Sequence, residues 1–426
     1  MDSERKVPKS RLGRLARLAA VGAKAGAGRL IGRSSETQVI DTAQVLGTLR
    51  GLAAKAGQMA AYVDGMVPEE HKGAYESGMR SLLKAAPRSS AVDIRKTLVE
   101  ELKAPIDQVF MEWNDEPIAS ASIGQVHLAR LQDGREVAVK VQHPGIANAV
   151  ESDLNNLGLI EGALALSPAR KFDPKALFQE VRDRFREELD YSLEGARQTS
   201  FRDFHAGDPT IRIPEVFHEF TTGRVLTSEF VRGIDFDEAC KASDEEKRAW
   251  AETLWRFVYR GNLVAGRFNA DPHPGNYLFG ENGVVTFLDF GCVSELDEGR
   301  RVRALAMHRA ILKGDDKTFY SLARELMDTK EGSAHEERVF RQFTDIYRPL
   351  KESPYRITRS YASSLLQQMR DLNKESRQSK ESEYRPLPKG ILFFNRLQFG
   401  FYSVLARLDV EVDYAEVERA FLEGAS

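Results

Sequence analysis

The alternation of apolar and polar positions changes period along the chain, and the changes predict its elements. Residues 1–33 are basic and rich in small side chains. Asp41 to Val63 places Val45, Leu46, Leu49, Leu52 and Ala53 at helical spacing. A second helical stretch runs from Glu69 to Lys84. A third, Ala91 to Leu102, follows Ser90 as N-cap and stops before Pro105. Beyond Pro105 the period shortens to two. Val109 to Trp113, Val126 to Leu131 and Glu136 to Gln142 predict strands whose alternate residues face opposite ways. Gln132-Asp-Gly-Arg135 is a hairpin turn, and Asp-Gly suits the positive-φ positions of type I′. Helical patterns return at Ile146 to Leu166 and Pro174 to Phe204. Two further strands are expected around Glu215 to Phe220 and Arg224 to Phe230. From Asp237 onward the pattern is helical, apart from a hairpin pairing Tyr277–Phe279 with Val284–Leu288. Ile391 to Leu408 predicts a buried helix, and Arg370 to Pro386 a polar surface loop. The class is α+β: a helical extension, a small unit of five strands and two helices, then a larger helical unit.

Composition excludes several classes. The 426 residues are 42% hydrophobic and 29% charged, as in ordinary globular chains. Two cysteines, Cys240 and Cys292, are no disulfide framework and lack zinc-ligand spacing, so a reducing compartment is expected. No segment reaches ~18 uninterrupted apolar residues; Ile391–Leu408 is broken by Asn395, Arg396, Gln398 and Arg407. No nucleic-acid partner is expected. The net charge of −3 conceals an asymmetry: residues 1–33 carry +7 and the remainder −10. Arg11, Arg14 and Arg17 recur among Leu12, Leu15 and Leu18. That pattern fits either a helix lying on an anionic membrane surface or a flexible basic tail. The expected location is the cytoplasm, with membrane contact peripheral at most.

Candidate chemistry is concentrated in two stretches. Phe287-Leu-Asp-Phe-Gly291 sets a carboxylate after an apolar strand and before a glycine. Upstream, Asp271-Pro-His-Pro-Gly-Asn276 holds a carboxylate and a carboxamide in a proline-stiffened loop. Asn276 and Asp289 supply oxygen ligands for Mg²⁺, and Asp271 is a spare carboxylate. That is the inventory phosphoryl transfer needs. In the small unit, Lys140 lies in Val-Ala-Val-Lys after a hairpin, where it can reach nucleotide phosphates if a carboxylate orients it. Glu194 is the candidate. Ala119-Ser-Ala-Ser-Ile-Gly-Gln-Val126 has the small side chains that let backbone N–H groups approach phosphate. Glu188, Asp190 and Glu194 sit in a charged run for which a solvated helical face is the default. Asp190 and Glu194, four apart, share a face of the predicted helix, and Glu188 lies on an adjacent one. His273, between two prolines, is expected to be structural, and His127 and His143 to be ordinary strand-end residues.

In this order and spacing the motifs resemble the protein-kinase-like superfamily, and more closely the UbiB/AarF family of atypical kinases. The specific marks are Lys55-Ala-Gly-Gln58, Ala119-Ser-Ala-Ser-Ile-Gly-Gln-Val-His127, Glu188-Leu-Asp-Tyr-Ser-Leu-Glu194 and Asp271-Pro-His-Pro-Gly-Asn276. The resemblance implies a bilobal kinase-like fold. Residues 1–33 would be a basic arm and 34–107 a helical extension. Residues 108–232 would form an N-lobe with a five-stranded antiparallel sheet, and 233–426 a helical C-lobe. Lys140 would contact ATP phosphates and pair with Glu194, Asn276 and Asp289 would hold Mg²⁺, and Asp271 would stand at the catalytic-base position. Ala119, Ser120, Ala121, Ser122, Ile123, Gly124 and Val126 would form the phosphate loop, with Ala119 and Ala121 at positions normally Gly. Glu229 and Val231 would belong to the adenine-binding hinge. Lys55 and Gln58 would fold across the cleft, with Lys55 reaching Glu188 and Asp190 as a regulatory contact.

The family likeness implies an ATP-binding, Mg²⁺-dependent atypical kinase or ATPase that forms ADP and supports ubiquinone or other isoprenoid-lipid biosynthesis. Its partners would be an anionic membrane surface or a prenyl-lipid intermediate. Asn269-Ala-Asp271 replaces His-Arg-Asp, and no long activation segment or Ala-Pro-Glu follows Gly291, which argues against phosphorylating proteins in trans. One alternative is a nucleotide-gated scaffold or lipid-handling chaperone with little turnover. The other, a small-molecule phosphotransferase of the aminoglycoside/choline-kinase type, is disfavoured by Lys55-Ala-Gly-Gln58.

Overall fold

The computed structural model describes residues 89–120, 123–152, 154, 174–327, 329–378 and 391–423. The expected helices at 41–63 and 69–84, and Lys55 and Gln58, lie outside them. The chain divides into two compact units. The first runs to Gly195 and takes in Val216–Phe230; the second holds Ala196–Glu215 and everything from Val231.

In the first unit, Ser90 caps the helix Ala91–Leu102, its hydroxyl accepting from the Asp93 N–H. Lys103 in the left-handed region ends the helix. Strands β1 (Phe110–Trp113), β2 (Ala119–Ser120), β3 (Gly124–Leu131) and β4 (Glu136–Gln142) follow. After β5 (Ile211–Arg212), which belongs to the second unit, comes β6 (Val225–Glu229). The antiparallel sheet runs β1-β3-β4-β6, with β2 also pairing to β3. Five strands are therefore present, but the fifth is β2. Glu215–Phe220 forms only a bridge, Val216 to Ser228, and then a 3₁₀ turn, His218–Phe220. The hairpin turn also differs from expectation. Only Gly134 has positive φ, at 90°, and its N–H bonds Leu131 O. This is a three-residue loop closed by a left-handed glycine rather than a two-residue type I′ turn.

The strand period sorts the sheet into two faces. Val137, Val139 and Val141 of β4 are wholly buried against Ile94 and Leu98 of the first helix. Ala138 and Lys140 point the other way, to the side where Leu226, Ile123, Val150 and Tyr191 cluster. His127, far from a simple strand end, is buried, stacks on Trp113 and is bonded to Asn114 O and the Gln125 carboxamide.

Pro174–Phe204 is not one helix. Helix Pro174–Glu188 ends, and helix Tyr191–His205 begins after Asp190. The second unit centres on helix Asp244–Arg260, which opens with a Ser243/Glu246 capping box and buries Trp250, Leu254, Trp255, Phe257 and Val258. The expected hairpin is present as β8 (Tyr277–Phe279) and β9 (Val285–Phe287), with β5 added in parallel to β9. The short strand β7 (Arg267–Asn269), which the pattern missed, pairs with β10 (Val293–Glu295). Asp297 then caps helix Glu298–Leu312. Helix Arg359–Gln378 takes up much of the stretch expected to be a loop; its first three turns bury Tyr361, Ala362, Leu365 and Leu366, so packing carries the helix into the polar sequence after Arg370. Ile391–Leu408 is a helix with the bounds expected. Among the described residues no helix is long and apolar enough to cross a membrane.

Leu98 has no exposed surface, so Leu98→Ala removes transfer free energy and leaves a cavity. The expected cost is about 2–5 kcal/mol in urea unfolding. A cost below about 1 kcal/mol would show that the Ala91–Leu102 helix does not seal the sheet.

Candidate active site

In the first unit three segments meet at Lys140. On β3 its cross-strand neighbour is Val126, and on β6 it is Leu226. The third segment is the start of helix Tyr191–His205. Lys140 Nζ donates to Glu194 Oε1 at 2.8 Å and Oε2 at 2.9 Å. The carboxylate is 2% exposed and the ammonium side chain 18%. A carboxylate so thoroughly desolvated is tolerated only with a paired cation.

The helix break aims Glu194. Asp190 Oδ1 accepts from the N–H groups of Ser192 and Leu193, and Asp190 O accepts from Glu194 N–H. Asp190 is therefore an N-cap, and Glu194 lies in the first turn, where the helix dipole favours negative charge. The same break is fastened to β4: Gln142 Nε2 donates to Leu189 O at 2.7 Å and Gly223 O at 3.0 Å. This corrects the single-helix expectation. Glu188 closes one helix, half-buried, while Asp190 caps the next, so neither continues the face of Glu194.

Ala119 is exposed, and Ser120 pairs with Gln125 across β2 and β3. The Ser120 hydroxyl oxygen is shielded from solvent and has no hydrogen-bond partner among the described residues. Ile123 and Gly124 are buried and Val126 half-buried; Ala121 and Ser122 lie outside the described residues. Glu229 stands opposite Val137, three positions along β6 from the neighbour of Lys140. Val231, in the second unit, is buried.

In the second unit, hydrogen bonds tie the two carboxylate-bearing loops together. Asn269, at the end of β7, donates from Nδ2 to Asp289 O and accepts the Asp271 N–H on Oδ1 at 3.0 Å. Asn276 Nδ2 donates to Asp271 O at 3.1 Å, which leaves its oxygen as the atom suited to a cation. Leu288 N–H bonds Asn276 O, so the β8–β9 hairpin brings Asn276 and Asp289 to one open end. Asp289 Oδ1 accepts the Gly291 N–H at 2.9 Å. His273 is structural, its Nδ1 accepting from Gly275 N–H. Burial raises the Tyr277 hydroxyl pKa, and the charge of Asp271 raises it further, so Tyr277 stays protonated beside the loop.

Residues missed by the motif reading hold this arrangement. Arg197 donates to Gly291 O at 3.2 Å, and Phe201 packs on the fully buried Phe290. Gly400, within helix Ile391–Leu408, seats Pro272: a Cβ there would lie 2.6 Å from the proline ring. An isolated glycine in an apolar helix was the available signal.

A comparison with known families matches residues 81–323 to the ABC1 atypical kinase-like domain. The chain belongs to that family. The yeast (Saccharomyces cerevisiae) mitochondrial atypical kinase COQ8 is 32% identical over 245 residues, covering 57% of this chain and 47% of that protein. The rat (Rattus norvegicus) mitochondrial atypical kinase COQ8B is 34% identical over 309 residues, covering 68% and 57%. The chain thus spans about half the length of the curated relatives it matches. A Mycobacterium tuberculosis protein, solved as its erythromycin complex, has the same fold: TM-score 0.63, 25% identity, covering 95% of this chain and 97% of that one. The kinase-like fold and UbiB/AarF membership expected from the motifs are therefore established.

Lys140 and Glu194 should couple strongly. A double-mutant cycle with Lys140→Met and Glu194→Gln, read by urea denaturation, is expected to give at least about 1 kcal/mol of interaction, since each single variant strands a desolvated partner. Additive single effects would show that the pair is not an energetic unit.

Proposed function

We propose that the chain binds ATP with Mg²⁺ and turns it over to ADP, in support of ubiquinone or other isoprenoid-lipid biosynthesis. The observation that carries this reading is the desolvated Lys140–Glu194 pair on the sheet face beside the β2–β3 loop. An ammonium fixed there by a carboxylate is a cationic N–H donor of the kind that meets phosphate oxygens. The orphaned Ser120 hydroxyl suits a phosphate acceptor as well. The donor set fits the cation too: Asp289 and Asn276 would hold Mg²⁺ through hard oxygen atoms, which suits an ion that shares its shell with phosphate and water.

When bound, ATP supplies the phosphoryl group, and Mg²⁺ offsets its charge. The chain's own residues bind and orient. Lys140 would hold α/β-phosphate oxygens, and Glu194 keeps that ammonium in place. Asp271 would orient the acceptor oxygen and take its proton, its loop being held by Asn269 and Asn276. Between Gly291 and the Asp297 cap lie only a short strand and its flanks, too little chain to serve as a platform for a peptide. This supports water, or a small or lipid-like molecule, as acceptor. The basic arm at 1–33 supports a peripheral site on an anionic membrane.

A second reading is a nucleotide-gated binding protein with little turnover. It is favoured by the fold neighbour solved with erythromycin bound. Nucleotide-dependent partner affinity that survives Asp271→Asn would support it.

ADP release measured with and without anionic liposomes tests the first reading. Asp289→Asn removes a charged oxygen ligand and is expected to lower turnover by about 10²-fold or more. Equal turnover in the two proteins would remove the enzymatic reading.

A further inference from the structure

Lys140 has a further neighbour, Tyr191, to which the motif reading gave no role. The centroid of the Tyr191 ring lies 4.8 Å from Lys140 Nζ, within the range of a cation–π contact. Tyr191 has no exposed surface and stands three residues before Glu194, on the same side of the helix. Its hydroxyl lies close to Gly124. A Cβ added to Gly124, the first residue of β3, would lie 2.6 Å from Tyr191 Oη and 2.6 Å from Val141 O. Only glycine allows that approach. The place of the ring is fixed from behind: Tyr191 N–H donates to Gly223 O, the same carbonyl that accepts from Gln142 Nε2.

We propose that Tyr191 is a positioning residue, holding the Lys140 ammonium with its ring face. The proposal rests on the reading that Lys140 meets nucleotide phosphates. Its logic is electrostatic. An aromatic face attracts the cation through its quadrupole and adds no net charge. Glu194 thus supplies the charge balance for a half-buried lysine, and Tyr191 supplies direction.

The variants Y191F and Y191L separate the parts. Two measurements on the full chain are needed. In the first, lysines are reductively methylated with ¹³C and the Lys140 resonance is assigned with K140R. A ring-current shift is expected in wild type and Y191F and lost in Y191L, with no nucleotide present. In the second, calorimetry compares ADP with adenosine. Y191L is expected to weaken ADP about 3- to 30-fold, Y191F by no more than about 2-fold, and adenosine to be unaffected in both. Equal losses for ADP and adenosine, or an unshifted Lys140 resonance in wild type, would overturn the proposal, as would unchanged ADP affinity in Y191L. A wild-type protein that shows the resonance shift but binds no nucleotide would refute the proposed function while supporting the hold of Tyr191 on Lys140.

Discussion

A carboxylate with 2% of its surface exposed requires a cation, and the first unit is arranged to supply one. Lys140 can meet that need only because the strand period turns it away from Val137, Val139 and Val141, which fill the opposite face. Glu194 can be met only because the preceding helix stops at Glu188 and a new one starts at Asp190. Gln142, two residues beyond Lys140, then fastens that break to β4 through two backbone carbonyls. Sheet, helix start and ion pair therefore specify one another. Loss of any one leaves a buried charge or an unsatisfied carbonyl.

The second unit solves a different problem. Its acidic groups stand on loops, which side-chain packing alone holds poorly. The solution is hydrogen bonding from carboxamides. Asn269 joins the backbone at Asp271 to the backbone at Asp289, and Asn276 closes the loop onto Asp271. Apolar packing reinforces this from two sides: Phe290 sits on Phe201, and Pro272 sits in the space left at Gly400. Amides and rings thus fix the loops that carry the two carboxylates.

Membership of the ABC1 atypical kinase-like family and the kinase-like fold agree with this picture. Kinase chemistry places few covalent demands on a protein and many positional ones. Here the lysine and the acidic loops are held by small, mostly neutral groups around a few charges. Asn269, Gln142 and Gly400 do much of the holding, and the sequence assigned none of them a site role.

Much was legible in the sequence wherever local chemistry decides. The bounds of Ala91–Leu102 follow from Ser90 and from the chain reversal before Pro105, and those of Ile391–Leu408 from an apolar run. Strand β4 follows from its alternation, and the acidic motifs from their spacing. The errors fell where local signals compete. Residues 174–204 have unbroken helical composition, yet Asp190 breaks the helix because its carboxylate can cap the next one while Gln142 holds the gap from a distant strand. Residues 215–220 look like a strand, but they make only the Val216–Ser228 bridge beside β6, and the fifth strand is β2, paired to β3 at the other edge. The sequence by itself determined which groups are available: a lysine on a two-faced strand, acidic residues beside glycines, a helix with a gap where a proline ring fits. Only the tertiary structure decided which of them meet. Glu194 over Glu188, Asn269 as the joint between two loops, and Tyr191 against both Lys140 and Gly124 are contacts between residues far apart in the chain, set by packing that no local pattern encodes.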